Sequence, residues 1–80
     1  MFNVTYNERL NERSIIVKYK VDNKLNEIEI ENSEIEADKK VKTYIKQNQI
    51  QFRNYIKKIV EYQYKEKYVF IKITYFISLY

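Results

Sequence analysis

Two hydrophobic rhythms divide these 80 residues. Phe2, Val4 and Tyr6 alternate with polar neighbours, which predicts a short strand over residues 2–6. Asn7 to Ser14 reads as a polar connection, in which Asn7-Glu8-Arg9 and Asn11-Glu12-Arg13 flank Leu10 as a chance repeat in an Asn-rich chain. Ile15, Val17, Tyr19 and Val21 then alternate with Ile16, Lys18 and Lys20, predicting a strand over 15–21. Asp22-Asn23-Lys24 is turn chemistry, and beyond it Ile28 and Ile30 alternate with Glu27, Glu29 and Glu31. The expectation is a β-hairpin with its second strand over 26–31, in which Lys18 faces Glu27 or Glu29 on the outer surface.

From Ser33 the rhythm lengthens. Ser33 and Glu36 match a capping box, and Glu34, Glu36 and Asp38 suit a helix N-terminus. Val41, Tyr44, Ile45, Phe52, Tyr55, Ile56, Ile59 and Tyr62 recur at three-four spacing, with neither Gly nor Pro between them. This predicts one helix over 34–65, about 45 Å long at about 1.5 Å per residue, weakest at Gln47-Asn48-Gln49. Alternation returns in Val69, Ile71, Ile73, Tyr75, Ile77 and Leu79, a strand over 68–79. The expected fold class is α+β: a single small domain over 1–80, in βββαβ order, with a mostly antiparallel sheet packed on one long helix. A right-handed crossover through that helix would set the last strand parallel to the third.

Composition changes the picture in two ways. Ile, Lys, Tyr, Asn, Phe and Met, whose codons are A/T-rich, make up 46 residues, whereas Gly, Ala, Arg and Pro number 4. This fits an AT-rich bacterium, its phages or mobile elements, or a comparable virus, and it explains part of the Lys abundance without any function. The second change is subtraction. With no His, Cys or Gly, the chain lacks imidazole-based nucleophile systems, thiolate or imidazole zinc sites, P-loops, dinucleotide fingerprints and the glycine-bearing signatures of common RNA-binding folds. Glu34, Glu36 and Asp38 are the remaining candidates for magnesium, but a helix N-terminus already explains an acidic cluster. The expectation is therefore a non-enzymatic protein with no cofactor, no metal and no catalytic residue.

Neither a basic n-region with an apolar core at the start nor an apolar run long enough to span a bilayer is present, since Tyr68–Tyr80 is thirteen residues and contains Lys72. A cytoplasmic location, in the host cytosol if phage-encoded, and no membrane partner are expected.

Charge is unevenly placed. Residues 1–38 carry −4 and residues 39–80 carry +8, giving the net +4. On the expected long helix, Lys39, Lys42, Lys46, Arg53 and Lys57 form one basic stripe, with Ile50 and Tyr64 beside it. Such a row suits phosphates or an acidic protein surface, or is a solvated face in a Lys-rich chain. The last strand offers a second surface. Tyr68, Phe70 and Phe76, with Tyr80, Lys72, Thr74 and Ser78, fall on the face that one helix cannot cover, together with Ile16. That face could stack on bases, pair with a second copy as a homodimer, or grip another partner, unless the chain's own loops bury it.

The expected function is that of an interaction protein: a small phage or mobile-element product that binds a host protein or ribonucleoprotein complex and disables a defence system. In size, single-domain character and lack of catalytic residues the chain is similar to anti-CRISPR proteins, a resemblance of type that carries no residue across. The alternative is a small basic module that binds RNA or DNA.

Overall fold

A computed structural model describes residues 2–7, 11–24 and 27–80. It contains β1 (Phe2–Asn7), β2 (Glu12–Asp22), α1 (Glu27–Gln47), β3 (Phe52–Tyr64) and β4 (Tyr68–Leu79). The four strands form one sheet in the order β1-β2-β4-β3, with every neighbouring pair antiparallel. The fold is α+β, as expected, but its order is ββαββ. Part of the expected polar connection, residues 8–10, and residues 25 and 26 lie outside the described residues, as do the side chains of β1.

The second hairpin strand expected over 26–31 is instead the start of the helix. Glu27 and Glu29 occupy the first turn, where carboxylates offset the exposed amide dipoles. The helix places six acidic residues between Glu27 and Asp38 and four lysines between Lys39 and Lys46; of these, Glu27 and Glu29 in the first turn and Lys46 in the last are where the macrodipole favours them. Ile28 is 67% exposed, so its alternation with glutamates never reported a buried sheet face. Ser33 is not a cap: its hydroxyl donates to the Glu29 carbonyl one turn back, at 3.0 Å.

The helix ends at Gln47 rather than near 65. The Gln49 amide donates to the Lys46 carbonyl and the Ile50 amide to the Ile45 carbonyl, the bonding pattern of a Schellman motif. Gln49 takes the left-handed position with φ 51°, the place glycine usually fills. Ile45 and Ile50 both pack on the core, as the apolar contact of that motif requires. The Asn48 side chain also donates to the Tyr44 carbonyl at 2.9 Å. The stretch expected to be weakest is thus a complete stop signal built without glycine.

Strand β3 comes next in the chain, and its helix-like spacing has a physical cause. Two β-bulges, at Arg53 and Ile56, each insert one residue into the strand. The residues in register with the helix-side positions of β4 are therefore Phe52, Tyr55 and Lys58, three apart, before ordinary alternation resumes at Val60, Tyr62 and Tyr64. A strand with bulges at this interval imitates the apolar period of a helix.

The last strand is central, between β2 and β3 and antiparallel to both. Because β2 and β3 therefore run the same way, the crossover through α1 joins two parallel-running strands, with β4 inserted between them. Its position explains its composition. Val69, Ile71, Ile73, Tyr75 and Ile77 are buried, against Ile15 and Val17 of β2 and Ala37 and Val41 of α1. Each fully buried Ile or Val contributes about 1.5–3 kcal/mol relative to exposure. At the far end of the sheet, the Asn23 side chain donates to the carbonyls of Lys65 and Glu66, both at 3.2 Å, which fixes the β3–β4 turn against the end of β2.

Candidate binding face

The helix covers one face of the sheet, and a belt of tyrosines fixes it there. On the β3 side the Tyr62 hydroxyl donates to Glu34 at 2.9 Å. At the centre the Tyr75 hydroxyl donates to Asp38, which also meets the Lys58 ammonium at 3.6 Å. On the β2 side the Lys40 ammonium lies 4.8 Å from the Tyr19 ring centroid. Four phenols here have raised pKa values, with burial the first cause in each. Burial, reinforced by the Asp38 carboxylate, pushes Tyr75 well above the ordinary tyrosine range. Burial raises Tyr55, Tyr62 and Tyr19 as well; Asp38 adds to it at Tyr55, Glu34 adds to it at Tyr62, and Lys40 opposes it at Tyr19. Glu34 and Asp38, two of the candidates for magnesium, are thus turned to helix docking, and no three acidic side chains among the described residues gather to hold a metal.

The basic stripe expected along one helix is divided. Lys39, Lys42 and Lys46 are exposed on α1, Ile50 is half-buried in the turn, and Arg53, Lys57 and Tyr64 belong to β3. The physical reason is the stop at Gln49. Lys42 and Lys57 both border a cleft of about 330 Å³ between α1 and β3, lined also by Tyr55, Ile56 and Tyr75, but the Lys57 ammonium turns to the Phe76 ring on the other face of the sheet.

The β4 residues expected on the second surface share one face of the sheet. Tyr68, Phe70, Lys72, Thr74, Phe76 and Ser78 alternate with the buried set, so they lie on the face opposite α1. Phe70 and Tyr68 are 39% and 42% exposed. Thr74 is the exception: it is buried at the sheet centre, with Ile16 and Ile59 opposite it on the two neighbouring strands. Tyr80 lies beyond the strand end and is exposed.

Pairing across the strands brings more charge to this face than β4 alone supplies. Lys20 stands opposite Phe70 and its ammonium lies 4.1 Å from the Tyr68 ring centroid. Lys57 stands opposite Phe76, 4.9 Å from that ring centroid. Between them Lys18 faces Lys72 directly. The expected partners of Lys18, Glu27 and Glu29, are on the helix, and the hairpin that would have delivered them does not exist. Like charges directly opposite one another destabilise an antiparallel pair. Glu61, opposite Lys72 on its other side, is the acidic member of this row. Lys18, Glu61, Gln63, Phe70 and Lys72 border a depression of about 520 Å³. Sequence reasoning missed Lys18, Lys20 and Ile59 as members of the face, because their places depend on β4 being central.

No helix of the described residues is long and apolar enough to cross a membrane. No protein-family model, curated protein or solved structure matches this chain.

Proposed function

We propose that this chain is a non-enzymatic interaction protein whose working surface is the sheet face opposite the helix, and that its partner is a protein or ribonucleoprotein complex presenting negative charge there. The observation that carries the reading is the Lys18–Lys72 juxtaposition amid exposed Phe70 and Tyr68. Lysines on facing positions of two strands, beside uncovered aromatic rings, give this face positive charge and apolar area together, the make-up of an interaction surface. A negatively charged partner would be drawn to these lysines, while the rings supply apolar contact. The A/T-rich residue usage supports a phage or mobile-element origin, with inhibition of a host defence complex in the host cytosol as the role, similar in character to anti-CRISPR proteins.

A second reading, a nucleic-acid-binding module, is favoured by one feature: Lys20 beside Tyr68 and Lys57 beside Phe76 pair a phosphate-seeking charge with a ring that bases can stack on. Affinity capture from bacterial hosts carrying defence systems, with and without nuclease, separates the two. The first reading expects a stoichiometric protein partner that survives nuclease and is lost with Phe70→Ser. A target that disappears with nuclease, together with steeply salt-dependent binding of short RNA or DNA, supports the second. Capture unaffected by Phe70→Ser would contradict both.

A further inference from the structure

Strand β3 is the outer strand beside β4, is 13 residues long, and is exposed everywhere except Phe52 and Val60. Tyr55, Ile56, Ile59, Tyr62 and Tyr64 remain between 39% and 66% exposed. The strand thus presents both side-chain faces and its outer backbone edge to solvent. An edge strand of this length and apolarity is a template for another strand, blunted here only by its charges and its two bulges.

From this edge we infer that two copies of the chain pair through β3, antiparallel across a two-fold axis at Ile59, to form one continuous eight-stranded sheet. Symmetry and charge identify the occupant. A two-fold axis perpendicular to the sheet is the one operator that brings the same edge of two copies together antiparallel, and it keeps both helices on the same side. Opposed residue numbers must then have an even sum. Centring on Lys57 or Lys58 sets that lysine against its own copy, which repels. Centring on Ile59 sets Lys57 of each copy opposite Glu61 of the other, twice by symmetry, and brings the two Ile59 side chains together at the axis. Glu61 makes no ion pair within the chain among the described residues, so its carboxylate is available to this contact. The bulge at Ile56 ends the ladder, which runs from 57 to 61 in each copy, a usual strand length of about five residues. The open faces of the two copies join side by side, doubling the lysine-aromatic surface without covering it. The pairing stands independently of what that surface binds.

Sedimentation equilibrium across roughly 1 to 100 µM protein tests the pairing, because self-association depends on concentration. The wild-type chain is expected to approach twice its 10.0 kDa mass. Lys57→Glu and Glu61→Lys, each confirmed folded by circular dichroism, should each weaken dimerisation roughly tenfold or more by turning two attractions into repulsions. An equimolar mixture of the two variants should dimerise again, since each then supplies the charge the other needs, a rescue that no effect confined to one copy can produce. A wild-type chain that stays monomeric throughout overturns the inference. So does a mixture that dimerises no better than either variant alone.

Discussion

The Tyr75 hydroxyl donates to the same Asp38 oxygen that meets the Lys58 ammonium at 3.6 Å, so one carboxylate joins the central strand, the helix and the edge strand. The apolar stripe beneath it is narrow, since Ala37 and Val41 are the fully buried helix residues. Polar contacts of this kind therefore decide how firmly α1 is seated.

Asp38→Ala should destabilise the fold by about 1–3 kcal/mol, because it removes a charge-assisted hydrogen bond and strands a part-buried phenol. Lys58→Met should cost less than about 1 kcal/mol, as expected of a half-exposed ion pair. Urea unfolding of the two variants checks the order, and an equal effect would count against Tyr75 as the principal partner.

The tyrosine belt also sets an alkaline limit. Tyr19, Tyr55, Tyr62 and Tyr75 all have folded-state pKa values raised above the ordinary 10.0. Below pH 10 both states keep these protons and their contribution is fully present. Above it the unfolded chain releases them first, so stability falls as pH rises toward the folded values. Unfolding free energy measured from pH 8 to about 11.5 should decline beyond about pH 10, and less steeply in Tyr75→Phe.

Gln49→Gly should raise stability by about 1 kcal/mol, by removing the side-chain clash of a left-handed residue at the helix C-terminus. Thermal melts of the two proteins test this directly, and an unchanged or lowered midpoint would contradict the cap geometry.

The alternating faces of β2 and β4 were legible in the sequence, and with them most of the core and the aromatic half of the proposed face. It concealed β3 for a definite reason: bulges at Arg53 and Ile56 lengthen the repeat from two residues to three, so strand and helix become indistinguishable by period. The helix start was hidden by Ile28, Ile30 and their glutamates, whose alternation arises from a solvated first turn. Once both ends of the helix moved, the Lys18 pairing and the basic stripe moved with them. Neither depends on local pattern; both depend on which strand lies beside which.

Dividing the stripe yields a contrast between surfaces. Reversing Lys39, Lys42 and Lys46 to Glu should leave partner capture within about threefold of wild type, since these residues lie on the helix, away from the proposed face, and act through screened long-range charge alone. Phe70→Ser with Phe76→Ser should abolish capture while circular dichroism shows the fold retained. Capture lost in the first variant and kept in the second would return the binding surface to the helix.

The most direct measurement is lysine reactivity in the captured complex, read by acetylation footprinting against the free protein. The binding-face account predicts that Lys18, Lys20 and Lys72 become protected while Lys39, Lys42 and Lys46 on the helix stay reactive. Protection of the helix lysines, with Lys18, Lys20 and Lys72 unchanged, would contradict it.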